Sequence, residues 1–346
     1  MSASTVGEKG QAKEMRPCKR LQPRPIGAES TVKMNLPILI RGMYGLGDTL
    51  YMRAVVRERI RQSSDQLYIQ TPWPQIWQDL PVKMIRSGTT LRMQKRNEEA
   101  NTHLYHPPPF QSRYRRNTYV GYGGHDFKDG SSMLDTIGQS LATNLPDSMS
   151  VGWTVPDDWK WRPTHDDAAI NARPIAFVRP PTLRKEWMAP GRNPDQAAFE
   201  ACVNHLMESH HVVSVASIEV GKEWLIGNAI GHTFYHDGQL SFEQMLGLLA
   251  AADFAFGGVG WLVPAMQCVK TRAAILFGGV LGANGRHVIM PDQLDWQNVR
   301  MILPDDGEQC WCISYRHACR KKTDPTRAVD ELKSFLAIPH REHAAA

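Results

Sequence analysis

Short apolar runs alternate with segments of helical spacing along most of this chain. Leu36–Arg41 is a compact apolar run that reads as a strand. Gly42, Gly45 and Gly47 interrupt it, and about Thr49–Arg61 then carries Leu50, Ala54 and Val55 at helical spacing. Leu67–Gln70 and Val82–Ile85 read as two further short strands. Residues 86–116, rich in Arg, His, Tyr and Pro, read as irregular, and Ser131–Thr143 returns to helical spacing at Met133, Ile137 and Leu141. A second series begins with a strand at Pro174–Arg179, a helix at Pro194–Ser209 and a β-branched strand at Val212–Ala216. Ser241–Ala252 opens on a Ser-x-Glu capping pattern and predicts a helix. Asp253–Phe256 is a strand running into Gly257-Gly258-Val259-Gly260, Trp261–Val269 a helix, and Ala273–Phe277 a strand ending in Gly278 and Gly279. Ala328, Leu332, Phe335 and Leu336 mark a last helix over 325–337.

Strands alternating with helices imply parallel sheets. The fold class expected is α/β, with two Rossmann-like domains facing across a cleft. The boundaries read as a flexible basic tail at 1–34, a first domain at 35–150, a connector at 151–172 carrying Pro156, Pro163 and three Trp, a second domain at 173–325, and a C-terminal helix and tail at 326–346.

Bulk properties narrow the class without choosing a function. A length of 346 residues accommodates two ordinary domains, and 42% hydrophobic with 22% charged residues fits a globular protein. No apolar run is long enough to span a membrane, and the N-terminus lacks the apolar core of a signal peptide. Six cysteines in a chain this long do not make a disulfide scaffold, so the expectation is a cytoplasmic protein, with peripheral contact to a membrane surface left open. The net charge of +5 suits an anionic ligand or surface and is too mild to establish nucleic-acid binding.

The richest chemistry lies at the first glycine-rich turn. A strand, a tight turn and a helix start bring backbone N–H groups close to a ligand, and Asp48 stands at the exit. Two readings of Asp48 stay open at this point: a helix N-cap, and a catalytic carboxylate. Residues 83–119 interleave Arg and Lys with His, Tyr and Phe, including Arg113, Arg115 and Arg116, a combination that holds phosphates, stacks bases, meets an anionic surface or merely forms a solvated loop. Cys310, Cys312, His317 and Cys319 supply soft ligands for zinc, but Cys-x-Cys is not the usual spacing and buried thiols account for them equally well. The pairs Asp157-Asp158, Asp166-Asp167 and Asp305-Asp306 read as solvated turns, and no cofactor or metal requirement is evident.

Three segments, in order, resemble the ADP-heptose:lipopolysaccharide heptosyltransferases and their relatives, inverting glycosyltransferases of the GT-B fold. They are ILIRGMYGLGDTLY, RPIAFVRPPTLRKEW and SFEQMLGLLAAADFAFGGVGWLVPAMQCVKTRAAILFGG. The resemblance implies that Asp48 is the general base for an acceptor hydroxyl, with Gly45 and Gly47 in the acceptor-side loop. It implies that Lys185 contacts the phosphates of a nucleotide-diphosphate sugar, helped by Arg184 and Arg179. It places the donor against the loops of Gly258, Val259 and Gly260 and of Gly278 and Gly279. First domains of this fold carry the acceptor, which makes the Arg113, Arg115 and Arg116 segment the candidate acceptor region. Gly258 and Val259 replace the family's Asp and Thr, and Val263 stands where a His is usual.

The function expected is therefore transfer of a sugar from a nucleotide-diphosphate donor to an acceptor hydroxyl. The acceptor is a glycan or glycolipid, or a hydroxylated base in DNA. Two other classes compete: a binding protein that kept the fold and lost the chemistry, and a nicotinamide-dependent oxidoreductase. The last is disfavoured because the glycines fall at 42, 45 and 47 and not in the G-x-G-x-x-G spacing.

Overall fold

A computed structural model describes residues 36–108, 114–122, 126–127, 130–185, 190–279, 284–305 and 322–338. Among them the first half contains β1 (Ile38–Arg41), α1 (Leu46–Gln62), β2 (Leu67–Gln70), β3 (Val82–Ile85), α2 (Arg92–Ala100), β4 (Arg116–Tyr119) and α3 (Met133–Leu141). A short α4 (Ala168–Asn171) precedes the second half: β5 (Ile175–Arg179), β6 (Thr182–Arg184), α5 (Gln196–Ser209), β7 (His211–Val215), β8 (Glu223–Leu225), β9 (Thr233–Tyr235) and α6 (Phe242–Ala251). It continues through β10 (Phe254–Gly258), α7 (Leu262–Ala265), β11 (Arg272–Leu276), α8 (Arg286–Ile289), β12 (Val299–Ile302) and α9 (Pro325–Leu336).

Two parallel sheets organise these elements. The first has strand order β3-β2-β1-β4 and the second β12-β11-β10-β5-β7-β9, while β6 and β8 form a small antiparallel pair. Counted from its own first strand, the second sheet has the doubly wound order of a dinucleotide-binding fold. In each sheet the chain starts at the centre, winds outward one way, then returns to fill the other side. The reversal falls between β1 and β4 in the first sheet and between β5 and β10 in the second. Crevices at the carboxyl ends of such strand pairs are where ligands bind in open α/β sheets.

Strand alternation sets the packing. Ile38 and Ile40 of β1, Leu67 and Ile69 of β2, and Val82 and Met84 of β3 face α1 and α3 in one core. That core continues through α6 and α7 to Phe177, Val213, Val215 and Ile275 of the second sheet. The alternate residues Val178, Val212, Phe256 and Leu276 form a second core with Phe199, Cys202 and Leu206 of α5 and Ala328 and Leu332 of α9. Helix α1 is buried on nearly every side because it lies between the first sheet and α7. Gly47 makes that approach possible: a Cβ there would come within 3.0 Å of Trp261 Cα and 3.2 Å of Pro264 Cγ. Arg53, buried in the same helix, grips Asp79 with two bonds of 2.9 and 2.6 Å and donates to the carbonyls of Val151 and Gly152 at 2.9 and 2.6 Å, so the start of the connector is tied to α1.

The structure departs from the sequence pattern in identifiable places. Residues 86–116, expected to be irregular, contain α2. Its sequence RMQKRNEEA has no apolar stripe, and the helix is held by polar side chains instead. Gln94 donates to Tyr44 O at 2.8 Å, and Asn97 donates to Pro72 O at 2.7 Å and exchanges bonds with Gln75. Strands β6, β8 and β9 are three residues each, too short for an alternation to show. The connector is folded onto the body: Val155 N–H donates to Cys268 O at 2.9 Å, and Trp159 packs on Phe242 of α6 with centroids 5.9 Å apart. Among the described residues no helix is long and apolar enough to cross a membrane.

Candidate functional site

Both reversal points open on one cleft of about 740 Å³. From the first sheet it is lined by Gly42–Asp48, which follow β1, by Tyr119 at the end of β4 and by Tyr122 beyond it. From the second it is lined by Arg179 at the end of β5, Arg184, Arg192 and Asn193, and by Val259 and Gly260 just beyond β10.

The turn after β1 is shaped by close backbone approach. Gly42 has φ +96°, and a Cβ there would fall 2.1 Å from Val120 O. Only glycine meets both demands. Val120 N–H donates to Arg41 O at 2.7 Å, and Thr49 Oγ1 donates to Met43 O at 3.0 Å. Tyr44 O accepts from Trp73 Nε1 and Gln94 Nε2, both at 2.8 Å, which fixes the outer limb of the turn.

Asp48 is not the cap of α1. Gly45 occupies that position, no side chain caps the helix, and Asp48 lies in the first helical turn, where the exposed N–H dipoles favour a negative charge. Its Oδ1 accepts a hydrogen bond from the Tyr122 hydroxyl. Burial raises the Asp48 carboxyl above its ordinary value; the Tyr122 bond and the charges of Arg192 and Arg184 pull the other way without cancelling it. Burial, then the neighbouring Asp48, pushes the Tyr122 phenol well up, so it stays a proton donor at neutral pH. Tyr51, one turn along α1, is pushed up by burial too, and its hydroxyl donates to Ile289 O on the far side of the cleft.

The opposite wall is cationic. Burial, reinforced by repulsion from Arg184 and Arg192 and opposed by Glu223, lowers Arg179 to about 10. Gly260 lets this guanidinium lie flat against the loop: a Cβ there would be 2.8 Å from its Nη1. Arg184 Nε donates to Glu223 Oε2 at 2.7 Å, and Thr182 Oγ1 donates to Glu223 Oε1 at 2.8 Å, so this carboxylate braces β6 against β8. Arg192 hydrogen-bonds the Tyr122 phenol, linking the two walls. Its backbone is seated on Gly278, where a Cβ would come 2.4 Å from Asn193 O and 2.8 Å from Arg192 O. Two guanidiniums close enough to help lower a third make a site suited to a multiply charged anion.

The cleft thus brings together Asp48, Gly45, Gly47, Arg179, Arg184, Val259 and Gly260 of the residues singled out in the sequence. Gly278 supports the site from beneath, and Gly258 packs on Pro194, with a Cβ position 3.0 Å from Pro194 Cδ. Gly279 and Lys185 do not line the cleft; Lys185 is exposed one residue beyond Arg184, its backbone N–H donating to Lys222 O at 2.7 Å. Arg115 pairs with Asp65 at 2.7 Å and Arg116 donates to Ser140 O at 3.4 Å, both at the amino end of β4 and away from the cleft. Arg113, Cys310, Cys312, His317 and Cys319 lie outside the described residues. Sequence reasoning missed Tyr51, Tyr122 and Arg192. Arg192 ends a single helical turn, Pro190–Arg192, and Tyr122 follows a strand whose polar sequence RNTY gives no apolar signal.

Among the described residues no group of three or more His, Cys, Asp or Glu is arranged to hold a metal ion. His165, His211 and His232 crowd edge to face, with centroids 5.5, 6.1 and 6.4 Å apart. The Nδ1 atoms of His165 and His232 accept backbone N–H bonds at 3.0 Å, which places the proton of each neutral ring on Nε2.

No protein-family model and no curated protein matches the chain. Solved structures do match. The iron-containing dodecameric glycosyltransferase TibC from enterotoxigenic E. coli H10407 superposes with a TM-score of 0.56 at 13% identity, over 87% of this chain and 75% of that one. A second TibC structure, described as a heptosyltransferase in complex with ADP-D-beta-D-heptose, gives 0.56 at 12% identity, over 87% and 77%. E. coli ADP-heptose lps heptosyltransferase II gives 0.47 at 14%, over 87% and 98%. At such identities the likeness is one of fold. The chain has the GT-B architecture, and the structures it superposes on include one described as a heptosyltransferase.

Proposed function

We propose that this protein is a glycosyltransferase that moves a sugar from a nucleotide-diphosphate donor to an acceptor hydroxyl with inversion. The observation that carries the reading is the division of labour across the cleft: one half-buried carboxylate just beyond β1 of the first sheet, and three arginines on the side of the second, Arg179 ending β5, Arg184 ending β6 and Arg192 in the turn that follows. The fold it shares with TibC supports the same reading.

In this mechanism the donor's diphosphate lies against Arg179, Arg184 and Arg192, with the backbone of Val259 and Gly260 beside it. Lys185, exposed just past Arg184 and outside the cleft lining, adds positive charge near the diphosphate without a direct contact. The acceptor oxygen attacks the anomeric carbon from the side of the first sheet. As the new C–O bond forms, the bond to the diphosphate oxygen breaks and that oxygen leaves with the electron pair, stabilised by the guanidiniums. Asp48 takes the acceptor's proton. Attack opposite to the leaving group inverts the anomeric centre. The raised carboxyl suits this role, since a base that holds a proton more readily is a better acceptor of one. Tyr122 fixes one carboxylate oxygen and leaves the other for the substrate.

The test is product formation. The full chain is incubated with ADP-, UDP- and GDP-sugars and a panel of glycan, glycolipid and hydroxymethylated DNA acceptors, beside Asp48→Asn. Transfer from one donor, lost in the variant, is the expected outcome. Transfer that survives in Asp48→Asn, or binding of every sugar nucleotide without any turnover, removes the catalytic reading and leaves a binding protein.

A further inference from the structure

We propose that Tyr122 is a positioning residue that couples the two walls of the cleft, so that a diphosphate held at Arg192 makes Asp48 a stronger base. This rests on the donor placement of the transferase reading above and deepens it to the regulation of that site.

Tyr122 stands between two opposite charges. Its hydroxyl donates to Asp48 Oδ1 and is itself hydrogen-bonded by Arg192. Its ring packs on the buried Phe127, with centroids 5.4 Å apart, which anchors the phenol between its partners. The second carboxylate oxygen lies over Gly45, where a Cβ would come within 2.6 Å of Oδ2, so the glycine keeps that side of Asp48 open. A single side chain thus touches both the base and a cation of the donor wall.

The groups facing Asp48 set the direction of the effect. Burial raises its carboxyl, and the Tyr122 bond, then Arg192, then Arg184 act against that rise. Tyr51, one turn along α1, donates its hydroxyl to Ile289 O. Pro264 of α7 and Ile289 of α8 line the cleft and carry no charge. Among the described residues no histidine lines the cleft, and the other carboxylates there are Glu219, held below its ordinary value chiefly by its Lys222 bond, and Glu223, bonded to Arg184.

A diphosphate brings negative charge against Arg192 and Arg184. It offsets the two fields that steady the Asp48 anion. An Arg192 engaged by phosphate also polarises the Tyr122 hydroxyl less, which weakens the hydrogen bond to Oδ1. Both effects raise the affinity of Asp48 for a proton. Above its titration range the carboxylate stays ionised and meets the acceptor as a stronger base. Within that range, donor binding draws a proton from solvent. When the nucleoside diphosphate leaves, Arg192 acts on Tyr122 again and Asp48 returns its proton to solvent.

Calorimetry on the full chain tests this, with ADP-, UDP- and GDP-glucose injected in buffers of different ionisation heat between pH 5 and 8. The diphosphate of a sugar nucleotide keeps its charge over that range, so a proton taken up belongs to the protein. A coupling of about three-fold, the scale of a screened charge partner, takes up about 0.3 proton per donor at the midpoint of the Asp48 titration. By reciprocity the donor binds about three-fold tighter at the acid end. Asp48→Asn should lose the uptake and keep a donor constant within the same factor of the parent. Tyr122→Phe keeps the ring on Phe127, and Arg192→Gln cuts the connection from the other side. Each should lose roughly half of the uptake or more at saturating donor. A merely structural role would move melting temperature or affinity and leave the proton count as it is. No uptake in the parent, release in place of uptake, or an uptake that survives in either variant overturns the proposal. Turnover is followed on the same samples. Uptake without turnover defeats the transferase reading alone, turnover without uptake defeats the coupling alone, and absence of binding by all three probes defeats both.

Discussion

The two sheets have the same winding and open on the same cleft, but their carboxyl edges carry opposite chemistry. The first presents one carboxylate among phenols, Asp48 with Tyr51 and Tyr122, in surroundings that raise its affinity for a proton. The second presents Arg179 and Arg184 beside one bracing carboxylate, Glu223, with Arg192 lining the same wall, in surroundings that make Arg179 easier to deprotonate. A shared topology thus fixes where the ligand lies, and the side chains at the strand ends decide what each half does to it. Charge separated in this way suits a reaction in which a proton leaves one partner while negative charge builds on the other.

The largest effect that would break the comparison is on turnover. Asp48→Asn keeps the Tyr122 hydrogen bond and removes the base, so transfer should fall about 10²- to 10⁴-fold when product is assayed at saturating donor. Next comes donor affinity. Arg192→Ala should weaken nucleoside diphosphate binding by roughly ten-fold or more in calorimetry, as loss of a charge-assisted contact does. Gly278→Ala should imitate it, because the added Cβ displaces the backbone that carries Arg192. If the first sheet held the phosphates, neither change would matter.

A third effect concerns stability and carries a definite sign. The folded Asp48 carboxyl holds its proton to higher pH than the unfolded one. Its contribution to stability is therefore full below the ordinary carboxylate value and is lost as pH rises through the raised value. Asp48→Asn should raise the melting temperature by roughly a few degrees at pH 8, and the gain should shrink as pH falls. A variant no more stable than its parent at pH 8 would mean that burial does not penalise this carboxylate. The smallest effect should come from Lys185→Ala. With Lys185 exposed beyond the cleft lining, donor affinity should change by no more than about three-fold.

Much of this could be read in the sequence, and the boundary is physical. The central strands β1, β2, β5, β7, β10 and β11 are apolar runs buried on both faces, so composition alone exposed them. The glycine-rich turns mark backbone approach, which glycine announces directly. Helix α2 escaped because polar side chains hold it in place. Tyr122 and Arg192 escaped because their roles come from long-range closure: the chain brings Tyr122 to a carboxylate 74 positions earlier, and no local period encodes that. Lys185 and Arg192 are near neighbours in the chain, and the sequence offered no reason to prefer the second. Its seat on Gly278 supplies that reason only in three dimensions.

The most direct test of the central claim is the donor dissociation constant of Asp48→Asn, measured by calorimetry beside its rate of transfer. The account predicts a nearly unchanged constant with transfer lost, since the base and the donor's phosphates belong to opposite edges. A constant that rises in step with the lost rate would place Asp48 in donor binding and contradict the division of the cleft.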